Sequence, residues 1–332
     1  MFLLNNMGNN EQIKLDKIDR KILFELDKNC RISTIKLAKL VRKSRQAVEY
    51  RINHLAQKGI ITGFQTAINP HKLGYKLYKF YLKLRNVPEE KEKLLAYLKN
   101  SGIVYWMGEC SGSWDLIFAI FARDDYELFD FKNDLISKFH KILIEEEGQN
   151  LLDVKQFSKR YLTDSLVDPV MFGGDVVNNE LDKIDYLILE KIVNNARISL
   201  VELASKLKSS ALIIKRRLKK MEEKGIIIQY RIGIDLKKLG LELYKAVIRI
   251  DRYNVEDQKK LLQFFSSLSQ IQYFIKNLWT IEPELVVKDY NEYYSVIEDL
   301  KKQFPNVIRT VDFVLMRTDE WTPGFKNLFK GK

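Results

Sequence analysis

Residues 15–61 decide the fold, and they read LDKIDRKILFELDKNCRISTIKLAKLVRKSRQAVEYRINHLAQKGII. Asp16, Ser33 and Ser44 are favourable helix N-caps, and apolar residues follow each of them at helical spacing. Gly59 is placed to end the third helix, and the stretch after it is typical of a β-strand. Three short helices with a tight second turn, followed by a β segment, predict a winged helix-turn-helix.

The same pattern occurs a second time, 166 residues further along the chain. Residues 181–227 read LDKIDYLILEKIVNNARISLVELASKLKSSALIIKRRLKKMEEKGII, and no gap is needed to align them with the first copy. The likeness continues beyond the helices, because residues 77–79 recur as residues 243–245. A period this long indicates a duplicated two-domain unit and not a solenoid repeat.

The positive charge of the chain is concentrated in these two segments. The 332 residues include 56 Lys and Arg against 44 Asp and Glu, a formal charge of +12. Residues 14–63 carry +8 and residues 181–229 carry +5, whereas residues 64–165 are neutral. A general surface bias, the alternative explanation, would have spread the charge evenly. The pattern therefore favours binding to the phosphates of double-stranded DNA.

Several other classes of protein are disfavoured by the sequence. No apolar run approaches the length of about 20 residues that a membrane-spanning helix needs, and no secretory signal is visible, so we expect a cytoplasmic protein without a membrane partner. Cys30 and Cys110 are far apart and form no disulfide framework. The sequence contains no metal-binding cluster, catalytic triad or glycine-rich phosphate loop, so no catalytic residue, metal or cofactor is predicted.

The part of each unit after the β segment predicts a second domain. In the first unit we expect strands at residues 76–85, 102–111, 114–122 and 151–161, with helices at 88–100 and 125–142 between them. This β-α-β-β-α-β order is that of a ferredoxin-like sandwich, so the fold class is α+β, with two copies of a winged helix-turn-helix followed by a ferredoxin-like domain.

The second unit repeats this order, with a short strand predicted at residues 284–287, and Glu145 to Glu147 are interpreted as a solvated helix end. The predicted division of the chain is a flexible N-terminus (1–13), winged helix-turn-helix 1 (14–70), ferredoxin-like domain 1 (71–162), linker (163–180), winged helix-turn-helix 2 (181–236), ferredoxin-like domain 2 (237–320) and C-terminal tail (321–332).

The third helix of a helix-turn-helix enters the major groove with its N-terminal residues first. Arg45 and Gln46 have the side chains that contact guanine and adenine edges. For Arg51, an equal alternative is a structural salt bridge to Asp19 or Glu25. The candidate DNA-binding residues are Lys43, Ser44, Arg45, Gln46, Glu49, Tyr50, Arg51, Asn53, Ser210, Lys215, Arg216 and Lys219.

The third helix of the second copy differs in character. It begins with Ser210, Ala211, Leu212 and Ile213, which offer few hydrogen bonds to base edges. The basic residues that follow are suited to phosphates, and phosphate contacts position a protein without specifying sequence. We therefore expect the first copy to contribute most of the sequence discrimination.

The whole chain resembles, twice over, the Lrp/AsnC family of transcriptional regulators. The residues that carry the resemblance are Leu15, Asp16, Asp19, Arg31, Ile32, Ser33, Leu37, Ala38, Ser44, Arg51, Ile52, Leu55, Gly59, Ile60 and Ile61. The resemblance implies that the ferredoxin-like domain is a RAM domain, which mediates assembly and often senses an amino acid. It also implies an effector site at Gly108, Trp114 and Asp115, whose pattern the second unit lacks.

Two units in one chain depart from the family, whose members usually carry one unit and dimerise. We therefore expect an intrachain pseudo-dimer in which the strands of the two RAM domains pack together, and higher homo-oligomers remain open. Two alternatives are a siroheme-decarboxylase-like tetrapyrrole enzyme of similar architecture and an assembly scaffold that does not bind DNA. The charge on the helix-turn-helix segments argues against the enzyme.

Overall fold

A computed structural model describes residues 13–163, 165, 167–251, 254–321 and 324–329. Most of the predicted flexible N-terminus, residues 1–12, lies outside the described residues. Below, unit one is residues 14–162 and unit two is residues 181–320.

Unit one begins with the three predicted helices, α1 (Lys17–Lys28), α2 (Thr34–Val41) and α3 (Arg45–Gln57). The side chains of Asp16, Ser33 and Ser44 cap them by accepting backbone N–H groups, as their positions in the sequence predicted. The elements that follow are β1 (Ile61–Ile68), β2 (Lys76–Leu84), α4 (Pro88–Asn100), β3 (Val104–Gly112), β4 (Leu116–Ala122), α5 (Asp125–Phe139) and β5 (Leu143–Gln156).

A short strand, β6 (Val170–Gly173), precedes unit two, which has the same order of elements as unit one. Its elements are α6 (Lys183–Ile192), α7 (Leu200–Lys206), α8 (Ala211–Glu223), β7 (Ile227–Ile234), β8 (Glu242–Ile250), α9 (Val255–Ser267), β9 (Ile271–Asn277), β10 (Thr280–Val287), α10 (Tyr290–Gln303) and β11 (Ile308–Met316). The chain then continues into β12 (Glu320–Trp321) and α11 (Gly324–Phe329), which lie beyond the repeated order. The α+β class with two copies of each domain is thus confirmed.

The β segments after the two helix-turn-helix motifs pair with each other and not within their own units. Strand β1 runs antiparallel to β7, with Gln65 opposite Arg231, and these two residues are equivalents in the duplication. The backbone N–H of Cys30 donates to Tyr230 (2.9 Å), and its counterpart Ala196 donates to Phe64 (3.0 Å). A pseudo-twofold axis therefore passes through this ribbon, and each α1-like helix ends against the strand of the other unit.

The strands of the two ferredoxin-like domains form one closed ring in the order β11-β8-β10-β9-β5-β2-β4-β3, which β3 closes by pairing with β11. The units meet at two seams, β5 with β9 and β3 with β11. Helices α4 and α5 pack outside the strands of unit one, and α9 and α10 pack outside those of unit two. This arrangement agrees with the expected intrachain pairing.

The structure corrects several details of the sequence interpretation. Glu145 to Glu147 belong to β5 and not to a helix end, because Glu147 lies opposite Tyr81 on β2. Strand β10 spans eight residues, Thr280–Val287, and not four. The predicted linker, 163–180, contains β6, which pairs with β5. The predicted tail, 321–332, contains α11, whose Phe325 packs against Tyr105.

Candidate nucleic-acid interface

Helix α3 presents one apolar and one polar face. Val48, Ile52 and Leu55 recur at helical spacing and are buried against α1 and α2. The opposite face leaves several polar side chains exposed to solvent. The exposed candidates in and before this helix are Lys43, Ser44, Arg45, Gln46, Tyr50 and Asn53, and Glu49 is half-buried beside them.

Two contacts involve side chains of this exposed face and leave the face open to solvent. Arg45 Nε lies 2.8 Å from Glu49 Oε1 one helical turn away. An exposed pair of this kind contributes about 0.3–0.5 kcal/mol, so a base edge can displace it. The ring of Tyr50 stacks on His54, with the ring centroids 5.8 Å apart. Arg45 is therefore oriented by Glu49 through a weak, exposed contact.

Arg51 does not belong to the exposed face. Its Nη1 lies 2.8 Å from Asp16 Oδ2 and 2.6 Å from Asp19 Oδ1, at the start of α1. Burial would raise the pKa of Asp16, but the Asp19 N–H and Arg51 stabilise the carboxylate and hold the pKa below its usual value. The structure thus favours the structural alternative for Arg51, and we leave it out of the interface.

The second copy repeats the Arg51 arrangement. Arg217 Nη1 lies 2.6 Å from Asp182 Oδ2 and 2.9 Å from Asp185 Oδ1. The aligned arginine therefore joins the third helix to the first in both units.

Helix α8 exposes a different set of side chains at the same positions. Ser210 caps it, and Leu212 and Ile213 are exposed in its first turn, where unit one has Gln46 and Ala47. Further along the helix, the basic candidates Lys215, Arg216 and Lys219 are exposed. The two third helices therefore offer unequal surfaces to DNA.

A buried ion pair that the sequence interpretation missed connects the two motifs. Arg231 on β7 binds Asp27 on α1 through two contacts, Nε to Oδ1 at 2.9 Å and Nη2 to Oδ2 at 3.0 Å. Both side chains are almost fully buried. The only signal in the sequence was an acidic residue within the apolar face of α1.

The proposed effector residues Gly108, Trp114 and Asp115 fill structural positions beside the second seam. A Cβ atom added to Gly108 would lie 2.8 Å from the carbonyl oxygen of Thr318, so only glycine fits. The carboxylate of Asp115 accepts the backbone N–H of Leu84 at 2.8 Å. Trp114 is buried, and its ring lies 5.7 Å from that of Tyr81.

Two segments of the chain, residues 15–62 and 181–228, match the family described as winged helix-turn-helix DNA-binding. The HTH-type transcriptional regulator LrpA of Pyrococcus horikoshii is 35% identical over 127 residues, which are 87% of that protein and 37% of this chain. LrpA of Pyrococcus abyssi is 34% identical with the same coverage. The chain belongs to the Lrp/AsnC family of transcriptional regulators.

Each of these Lrp/AsnC relatives covers less than half of the chain, whereas the helix-turn-helix family matches it twice. An uncharacterized HTH-type transcriptional regulator of Pyrococcus abyssi is 31% identical over 146 residues. These residues are 96% of that protein and 44% of this chain. The chain is therefore a tandem duplication of one Lrp/AsnC unit.

The two-unit architecture has a structural counterpart in the siroheme decarboxylase NirDL, with a TM-score of 0.62 over 95% of this chain and 97% of that one. The two sequences are 12% identical, so the similarity concerns the fold alone. Within the described residues, no group of three or more His, Cys, Asp or Glu side chains could hold a metal ion. No helix in the same part of the chain is long and apolar enough to cross a membrane.

Proposed function

We propose that this Lrp/AsnC chain is a sequence-specific DNA-binding regulator whose two third helices contact two different half-sites. The observation that carries the proposal is the pairing of β1 with β7, which joins both helix-turn-helix motifs into one body. Helix-turn-helix dimers bind half-sites about 34 Å apart along one face of the duplex. Here one chain supplies both motifs of such a dimer.

Helix α3 presents polar side chains to its half-site. Arg45 can donate two hydrogen bonds to guanine, and Gln46 can bind adenine through its amide. Tyr50 and Asn53 extend the same face along the groove, and Glu49 can accept a hydrogen bond from cytosine.

Helix α8 presents apolar side chains to its half-site. Leu212 and Ile213 are suited to the methyl group of thymine, a contact that gives less discrimination than a bidentate hydrogen bond. Lys215, Arg216 and Lys219 are suited to the flanking phosphates, as Lys43 is in unit one. Because the two readers differ, we expect a non-palindromic operator.

The test begins with selection of the preferred duplex from a random library by the intact protein, followed by competition binding. R45A and Q46A should each lower the preference for the selected site by about 1–3 kcal/mol. K43A should instead weaken binding to every duplex and reduce the salt dependence by about one counterion.

The matched control is K93A, which removes an exposed lysine, ion-paired with Glu90, on the helix α4 of the RAM domain. It should change neither specificity nor the salt dependence. Unchanged discrimination by R45A, with the protein folded, would show that α3 does not read the operator.

Sensing of an amino acid or another small effector near Trp114 is a second candidate activity. It is favoured by the indole Nε1 of Trp114, which is buried and has no hydrogen-bond partner among the described residues. A screen of amino acids by thermal shift should find a stabilising compound whose effect is lost in W114F. The absence of any shift across the screen would argue against an effector at this position.

A further inference from the structure

Four ionisable side chains meet inside the closed ring of strands, and we call them the central ion cluster: Lys79, Lys245, Glu282 and Glu284. Lys79 Nζ lies 2.8 Å from Glu282, and Lys245 Nζ lies 3.3 Å from the same carboxylate. Lys245 also binds Glu284. Lys245 and Glu282 have no exposed side-chain surface, and Lys79 is 3% exposed.

The cluster is electrically balanced and well supplied with hydrogen bonds. Burial lowers the pKa of Lys79, and Glu282 opposes this by stabilising the ammonium. Burial would raise the pKa of Glu282, but Lys79 and Lys245 hold it well below its usual value. Tyr81 and Asn277 donate to Glu282, and the Trp106 ring lies 5.8 Å from Lys79 Nζ and 5.7 Å from Lys245 Nζ.

The duplication divides this cluster unequally between the units. Lys79 and Lys245 are equivalents, one from each unit. Both carboxylates come from unit two: Glu284 lies opposite Lys245 on β8, whereas the residue opposite Lys79 on β2 is Ala119. In unit one, the carboxylate of Glu147, which lies opposite Tyr81 on β2, is paired with Arg249.

We propose that the central ion cluster makes unit one select unit two as its pairing partner and reject a unit one from a second chain. Two copies of unit one would bury two Lys79 ammonium groups, with Ala119 where Glu284 lies in unit two. Two copies of unit two would bury four carboxylates against two lysines. Only the mixed pair has equal numbers of each charge.

The energetic basis of the selection is the cost of burying an unpaired charge. An ion pair taken out of water gains little over apolar packing, whereas a buried charge that has lost its partner is strongly destabilising. The cluster therefore discriminates by penalising the wrong pairs more than by stabilising the right one. The covalent link favours pairing within the chain through effective concentration but cannot by itself exclude like-with-like pairing between chains.

The first experiment tests the penalty in the full-length chain. The variant E282Q/E284Q keeps the shape of the cluster and one acceptor oxygen in each side chain but leaves both lysines without a carboxylate, which is the situation in a pair of unit ones. Its thermal midpoint should fall by roughly 10 °C. Adding K79M/K245M, which removes both ammonium groups, should restore most of the loss. A midpoint within about 2 °C of the original chain for E282Q/E284Q would overturn the proposal.

The second experiment measures pairing between chains directly. Cys30 and Cys110 are buried and burial raises the pKa of each thiol to about 12, so a single cysteine introduced by E92C on the exposed side of α4 can be labelled selectively. Donor-labelled and acceptor-labelled E92C chains are unfolded, mixed and refolded together at increasing concentration. Energy transfer between chains then reports that the unit ones of two chains lie close to each other.

The original cluster should give little transfer at any concentration. The charge-free variant K79M/K245M/E282Q/E284Q should give transfer that rises with concentration, to about fivefold or more that of the original at the highest concentration. The control K93M/K138M, which removes two exposed ion-paired lysines of unit one, should behave like the original. Equal transfer from the charge-free and original chains would overturn the proposed selection.

Discussion

The buried ion pair between Asp27 and Arg231 allows a prediction about stability, and the duplication provides a control within the same molecule. The equivalents of these two residues in the other half of the molecule are Val193 and Gln65, so the same packing site exists once with charges and once without. D27V leaves the Arg231 guanidinium buried and R231Q leaves the Asp27 carboxylate buried. The double variant D27V/R231Q copies the uncharged half.

The expected magnitudes follow from the contacts. Arg231 loses two hydrogen bonds of 2.9 and 3.0 Å in D27V and keeps two weaker ones, to the Tyr273 hydroxyl at 3.1 Å and the Phe157 carbonyl at 3.3 Å. Removing one partner of a buried pair costs about 3–5 kcal/mol, and we expect D27V to lie in that range. R231Q should lie near its lower end, because Asp27 keeps the Lys159 N–H at 3.3 Å.

The double variant should recover to within about 1–2 kcal/mol of the original chain, because neither member of the Asp27–Arg231 pair is left buried without the other. The assay is urea unfolding followed by tryptophan fluorescence, with the slope against urea checked for constancy across the four proteins. A double variant no more stable than D27V alone would refute the reasoning, because it would show that the loss does not come from the unpaired charge.

Two further predictions concern stability, with measurements by the same urea assay. R51A and R217A should each lower the free energy of unfolding by about 1 kcal/mol, because each removes a partly exposed guanidinium bound to two carboxylates. R51A should leave the preference for the operator intact, and a lost preference in R51A would return Arg51 to the interface. Burial lowers the pKa of His71 below 6.5, so the unfolded chain binds the proton more readily and stability should fall as the pH drops through about 6.5. H71Q should flatten this part of the pH profile, and an unchanged profile would contradict it.

The helix-turn-helix segments could be predicted from sequence because their signals are local. Asp16, Ser33 and Ser44 are caps whose hydrogen bonds reach only three residues ahead, and the helical spacing behind them is visible without any tertiary contact. The family resemblance and the repeat at 166 residues then fixed the order of domains. The exposed positions of α3 followed from the same periodicity.

The errors all involve partners distant in sequence. Strand β10 was predicted too short from the sequence because Glu282 and Glu284 are not expected inside a buried strand. Their burial makes sense only once Lys79, about two hundred residues away in sequence, is known to lie beside Glu282. Strand β6 was missed because its four residues are too few to show a strand pattern in the sequence. It is stabilised by pairing with β5. Arg51 was left open between two roles because its carboxylates lie on another helix.

Fusion of the two units changes which residues are free to diverge. In a symmetric homodimer residue i contacts residue j and residue j contacts residue i, and a residue on the twofold axis faces its own copy, so a lysine on the axis must face a lysine. In this chain Gln65 faces Arg231 on the axis of the β1–β7 ribbon, and Lys79 shares Glu282 with Lys245 in the ring. These substitutions lie at the contacts between units, whereas the residues that build each helix-turn-helix have stayed alike. Divergence at the seams and on the exposed faces of α3 and α8 is therefore what one expects once a single chain holds both halves of the dimer.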